Sequence, residues 1–331
     1  MTGAASALGQ SPTLSDIHSA ALRIGPHIRR TPLERSRELS SSLGADVFLK
    51  LESLQRTGSF KLRGALNALA PGEEARFGGG VVTASAGNHG LGVAHAARIF
   101  GIRATIFIPA GAPAVKRDRI RMLGADVRLV DGDYDDAHAE ALRHARDAGI
   151  PYLHAFSDPA VVAGQGTVGL EIAEDLPDVR TVVVPIGGGG LSGGIGLALG
   201  TRGRSTRLIG VQSEATAAMH ASLAAGAPTP VPAVPTLCDG LAGDVDQRSL
   251  DLARAVLDDL VLVSESAVRD AIRSLFFEEG LVAEGSAAVG PAAIREGRLS
   301  TAAGPIAIVV TGGNIDAARL ATILNDETER R

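Results

Sequence analysis

Three apolar runs in this chain each break into a glycine-bearing loop: "VVTASAGNHG" from Val81, "TVVVPIGGGGLSGG" from Thr181 and "IAIVVTGGNID" from Ile306. The first two continue directly into helical patterns, and further strand-like and helix-like runs alternate around them. Strand, crossover helix and strand in repetition mean parallel βαβ units. The fold class this predicts is α/β, with two open, mostly parallel twisted sheets and a cleft between them. Such sheets bind ligands outside the carboxyl ends of their strands, where all three loops fall. No fixed-period repeat competes with this reading.

A frayed tail over residues 1–13 gives way to a helix in "TLSDIHSAALRIG", with Ser15 as candidate N-cap. "TPLERSRELSSSLG" predicts a short extended stretch and a helix closed by Gly44, and "DVFLKLE" a strand. "PYLHAF" reads as a strand, and "GQGTVGLEIAEDL" as the start of a helix. The Pro/Gly-rich "AAGAPTPVPAVPTLCDG" reads as an ordered loop, because elements resume on both sides. These patterns predict a small domain over residues 54–149 and a discontinuous large domain over 14–53 and 150–325.

Bulk properties remove several function classes. The net charge of −5 weighs against non-specific nucleic-acid binding. Tryptophan is absent and aromatics are only 3%, which weighs against stacking platforms for single strands. Cys238 is the only cysteine, which rules out an intrachain disulfide and fits a reducing compartment. The N-terminal stretch lacks a basic signal-peptide start, and no apolar run approaches the ~20 residues of a membrane span. A cytoplasmic protein is expected.

Each glycine loop suits a different anion. Gly187 to Gly190 place consecutive N–H groups at a helix start, a cradle for phosphate. No Gly-Lys-Ser/Thr follows, so it is not a P-loop. Ser85, Ala86, Gly87, Asn88 and His89 sit between a strand and a helix, where free N–H groups suit a carboxylate. His89 beside a helix start is read as structural. Thr311 ends a strand with a short neutral hydroxyl. Four successive glycines exceed what packing alone needs. The same segment also matches G-x-G-x-x-G through Gly188, Gly190 and Gly193, with Glu214 at the end of the next strand. A nicotinamide oxidoreductase is therefore the rival from a different class.

Lysine breaks the tie. Of 32 basic residues only Lys50, Lys61 and Lys116 are lysines. Arginine cannot serve as a nucleophilic amine, whereas a desolvated lysine can form a Schiff base. A phosphate cradle, a carboxylate loop, a hydroxyl and such a lysine together match what pyridoxal 5'-phosphate requires.

The motifs "GSFKLRGA", "TASAGNHG", "AGQGTVGLEI", "PIGGGGLSGG", "EGSAAVG" and "TGGNID" occur in the order of the fold-type II pyridoxal-phosphate enzymes. From about Thr31 to Asp316 the chain resembles the threonine/serine dehydratase (ammonia-lyase) and serine racemase branch, in its short form without a regulatory domain. The resemblance implies that Lys61 carries the cofactor and later moves protons, and that Phe60 packs against its ring. Asn88 would bond the 3′-oxygen, Gly187, Gly188, Gly189 and Gly190 the phosphate, and Thr311 the pyridine nitrogen. Ser85, Ala86, Gly87, Asn88 and His89 would form the substrate-carboxylate loop. The implied activity is dehydration and deamination of L-threonine and L-serine to a 2-oxo acid and ammonia, in a homodimer.

Departures from the family pattern refine this. Ala86 stands where racemases carry a serine that serves the face opposite the lysine. Phe156 stands where they carry asparagine. Both favour elimination. Glu214 and Ala218 match two of three positions at which some relatives hold a cation. The third is His220, and the loss of a hard oxygen ligand weighs against a divalent or monovalent cation. "EGSAAVG" replaces a Glu-Pro pattern of threonine deaminases, which keeps open racemases and lyases of other 3-hydroxy amino acids, such as those of hydroxyectoine breakdown. A non-catalytic ligand sensor is a further alternative.

Overall fold

The computed structural model describes residues 11–72, 74–112, 114–200, 206–299 and 304–326. The first ten residues of the expected tail lie outside them. The strands are β1 (Leu33–Ser36), β2 (Val47–Leu51), β3 (Val81–Ala84), β4 (Ala104–Pro109), β5 (Asp126–Val130), β6 (Thr181–Pro185), β7 (Arg207–Ser213), β8 (Asp259–Val263) and β9 (Ile306–Val310). The helices of the first half are α1 (Leu14–Ile24), α2 (Arg37–Leu43), α3 (Lys61–Leu69), α4 (Glu74–Phe77), α5 (Asn88–Phe100), α6 (Ala114–Met122) and α7 (Tyr134–Ala148). Those of the second half are α8 (Pro159–Asp175), α9 (Gly190–Leu199), α10 (Ala218–Ala225), α11 (Gln247–Val256), α12 (Glu265–Phe277), α13 (Gly285–Arg295) and α14 (Ala317–Asn325).

Two sheets form, as the alternation requires. The larger runs β1-β2-β9-β6-β7-β8, parallel except for the antiparallel edge strand β1. The smaller runs β3-β4-β5, all parallel. Every residue of β6 and β9 is buried, which their uninterrupted apolar sequence anticipates for strands covered on both faces.

Local chemistry sets several boundaries differently from expectation. Thr13, not Ser15, caps α1, in a reciprocal capping box with Asp16. The helix expected to open near Gly164 begins at Pro159, where the Asp158 carboxylate accepts the Ala160 N–H at 2.9 Å. "PYLHAF" is not a strand: only Tyr152 bridges to Val82. The carbonyls that would extend a ladder are engaged elsewhere, Leu153 with the Thr83 hydroxyl and the His89 ring and Ala155 with Lys61.

Helix α3 is seated between α5 and α8. A Cβ on Gly164 would lie 2.6 Å from the Arg63 carbonyl oxygen and 2.7 Å from Gly64 Cα, so only glycine allows these two backbones to meet. Beside this contact lies a buried ion cluster. Arg63 donates to both carboxylate oxygens of Glu52 and both of Glu171, at 2.7 to 2.9 Å. Lys50 closes the cluster with bonds of 2.7 Å to Glu171 and to the Thr31 carbonyl. It ties β2 and α8 to the helix that carries Lys61.

Candidate active site

Lys61 is the first residue of α3 and its position is stitched from both sheets. The Phe60 N–H donates to the Thr311 carbonyl at 3.1 Å, and Ser59 bridges Gly312, so the segment before α3 is tied to the loop after β9. From the other side α5 comes so close that a Cβ on Gly92 would sit 3.1 Å from the Lys61 carbonyl. The Lys61 amine donates to the Ala155 carbonyl at 3.0 Å and lies 5.2 Å from the centroid of the Phe60 ring. Burial holds it down to about 8, against the opposing pull of the Glu284 carboxylate. That is a lysine that can shed its proton near neutral pH.

The tetraglycine loop follows β6 and opens α9. Gly189 has φ +85°, which favours glycine. The packing demand is larger than the sequence suggested. Cβ atoms at Gly188 and Gly190 would lie 2.5 Å and 2.6 Å from Phe156, and one at Gly187 would lie 3.1 Å from Leu241. The glycines thus let the loop press onto Phe156 and Leu241. Among the described residues no hydrogen bond engages the N–H groups of Gly187, Gly188 and Gly189. Packing and anion binding demand glycine here together.

The loop from Ser85 to His89 joins β3 to α5, with Gly87 preceding the first helical residue, Asn88. The Gly87 N–H donates to the Ser85 hydroxyl at 3.1 Å. His89 is buried, and its Nε2 lies 3.3 Å from the Leu153 carbonyl. Burial pushes it down to about 3, which keeps the ring neutral. Thr311 is buried at the end of β9, and among the described residues its hydroxyl makes no hydrogen bond.

One residue of the site escaped the sequence reading. Glu284 caps the start of α13, is buried, and accepts from Asn88 Nδ2 at 2.7 Å. Burial raises its carboxyl to about 7. Its signal was the acid of "EGSAAVG", noted as a family variant and not as a group that reaches Asn88. Of the weak cation candidates, Glu214 follows β7 and is exposed, Ala218 is buried, and His220 is exposed.

Two mostly parallel sheets, a lysine held beside a glycine cradle and a small-anion loop define a fold-type II cofactor enzyme. The chain belongs to the pyridoxal-phosphate dependent enzyme family, whose model matches residues 24–312. It is 45% identical to the L-threonine ammonia-lyase of Thermotoga maritima over 95% of this chain and 78% of that protein. The solved structure of maize serine racemase superposes with a TM-score of 0.89 at 32% identity, covering 95% of this chain and 97% of that one. The processed form of threonine deaminase isoform 2 from Solanum lycopersicum gives 0.88 at 33%, covering 95% and 89%. The cofactor is pyridoxal phosphate. The unengaged N–H groups of the cradle, the unbonded Thr311 hydroxyl and the amine of Lys61 fit its phosphate, ring nitrogen and aldehyde.

Proposed function

We propose that this protein is an ammonia-lyase of 3-hydroxy amino acids, converting L-threonine and L-serine to the 2-oxo acid and ammonia. The observation that carries it is the Lys61 amine at the start of α3, held down to about 8 by burial, with a methyl at Ala86 and the Ser85 hydroxyl of the same loop engaged by the Gly87 N–H. The names of the relatives, threonine ammonia-lyase and threonine deaminase, support the same reading. When bound, the cofactor supplies an electron sink for the bond broken at the α-carbon. Lys61 would hold it, Gly187 to Gly190 its phosphate, Phe60 one ring face, Asn88 the 3′-oxygen and Thr311 the ring nitrogen. The N–H groups from Ser85 to His89 orient the substrate carboxylate. Lys61, displaced by the substrate amine, would take the α-proton and pass it to the departing β-hydroxyl, which would leave as water. The resulting enamine would tautomerise and be hydrolysed, consuming one water and freeing ammonia. Thr311 is a neutral partner that does not enforce ring protonation, so prompt loss of the β-hydroxyl suits this site better than a long-lived carbanion. We also propose the domain division 14–53 with 150–325 against 54–149, a homodimer, and a cytoplasmic setting.

Borohydride reduction of the loaded enzyme, followed by peptide mapping, tests the assignment. Only three lysine peptides compete, and the label is expected on Lys61 alone. Label on Lys50 or Lys116 overturns it. Lys61→Arg keeps the charge and should abolish turnover. Incubation with a panel of 3-hydroxy amino acids ranks the substrates. A bound nicotinamide instead of an absorbance near about 410 nm would favour the oxidoreductase.

A further inference from the structure

Four side chains form one directed line of hydrogen bonds through this site. Arg119 Nη1 donates to Asn314 Oδ1 at 2.9 Å. Asn314 Nδ2 donates to Asn88 Oδ1 at 2.7 Å. Asn88 Nδ2 donates to Glu284 Oε1 at 2.7 Å. The line alternates between the two sheets. Arg119 lies on α6, between β4 and β5. Asn314 follows β9, Asn88 opens α5 after β3, and Glu284 caps α13 before β9. It therefore passes from one sheet's side to the other three times in four residues.

The chemistry of the two ends fixes everything between them. A guanidinium has only donors, and Glu284, whose Oε1 accepts from Asn88, has only acceptors once its raised carboxyl is ionised. An amide placed between a donor and an acceptor can face only one way, and two amides in series inherit the same direction. Asn314 spends its second amide hydrogen on the Thr57 carbonyl at 2.8 Å. Asn88 keeps its second hydrogen: among the described residues only Glu284 accepts from its Nδ2. One amide N–H of defined direction is thus left at the cleft. The Glu284 carboxylate sits in the space that glycine leaves at position 312, where a Cβ would lie 2.4 Å from its Oε1.

We propose that Arg119, Asn314 and Glu284 are positioning residues, which fix the amide of Asn88 so that its remaining N–H meets the 3′-oxygen of the bound cofactor, and that this donor is set only when the two sheets are docked. The inference rests on the proposed placement of Asn88 beside the cofactor ring. Arg119 is exposed and, among the described residues, its side chain bonds Asn314, so the amides are its hydrogen-bonded path to the cofactor.

The test uses the full chain, with equilibrium dialysis against pyridoxal phosphate and the absorbance band of the bound cofactor as readouts. Arg119→Met should weaken cofactor binding about threefold, the scale of an exposed charged contact, and shift the band in the direction that Asn88→Ala shifts it. Arg119→Lys restores a cationic donor and should bring both readouts back to wild type. Glu284→Gln should cost about tenfold in binding, because a neutral amide no longer dictates which way Asn88 turns. Thermal unfolding of the cofactor-free variants checks that the fold is kept. If Asn88→Ala moves both readouts while Arg119→Met and Glu284→Gln move neither, the relay is overturned and the placement of Asn88 stands. If Asn88→Ala moves neither, that placement fails and the inference falls with it.

Discussion

An arginine at position 61 would keep its charge at every pH the protein meets, and the other two lysines show why this chain departs from arginine so rarely. Lys50 is fully buried, with room for a compact ammonium between the Thr31 carbonyl and Glu171. Lys116 reaches Asp239 at 3.3 Å, from α6 to the loop beside the tetraglycine. Lys61 is set to lose its proton. Proton transfer at the α-carbon through a second face needs a second acid–base group, and Ala86 has only a methyl to offer. That methyl packs with the cluster around Leu91 and Ile106. L-serine should therefore yield pyruvate and ammonia with little D-serine. Ala86→Ser should raise the ratio of racemisation to elimination, read by chiral chromatography beside an ammonia assay. A wild type that makes D-serine as fast as pyruvate would replace the lyase reading with a racemase, the activity named for the maize structure.

At the scale of elements, what could be read from sequence was whatever a strand, its loop and the following helix encode locally. β3, β6 and β9 with their loops were legible because apolar runs and glycine share one short window. The register of the site was not. That Phe60 meets Thr311, or Glu284 meets Asn88, depends on pairings of residues about 200 or more positions apart. Helix α13 was hidden by Pro291 in its interior and by Gly285 and Gly290, which sequence alone scores as breakers. The ion cluster was hidden too, since "LKLE", "KLRG" and "GLEI" look like ordinary charged positions. Its consequence is energetic. Arg63 makes four carboxylate contacts at zero exposure, so removing one partner leaves an uncompensated buried charge. Glu171→Gln should cost about 3–5 kcal/mol in urea unfolding of the cofactor-free chain. Arg63→Lys should cost a similar amount, about 3–5 kcal/mol, because an ammonium cannot form two forks at once. An Arg63→Lys variant with the wild-type urea midpoint would show that the cluster does not hold α3 in place.

Several large apolar side chains are exposed among the described residues, and one group of them adjoins the site. Leu54, Phe276, Phe277 and Val282 are 39%, 36%, 54% and 43% exposed. They belong together. The rings of Phe276 and Phe277 meet edge to face with centroids 5.3 Å apart. The Leu281 N–H bonds the Leu275 carbonyl, which folds the turn after α12 back beside them. Gly313 lies between the Val282 carbonyl and the side chain of Ser53, the neighbour of Leu54. Gly313 in turn precedes Asn314, so covering this patch would also brace the loop that carries Thr311 and the middle of the amide line. A twofold pairing covers the same patch on both copies with one surface and leaves no open end. Light scattering at micromolar concentration should give twice the 33.8 kDa of one chain. Phe277→Glu places a charge in the middle of the patch and should lower the mass to that of a single chain while the fold persists, since Phe277 contributes little to the core. A wild-type protein that scatters as a single chain rejects the dimer. A Phe277→Glu protein that stays paired moves the interface to another surface.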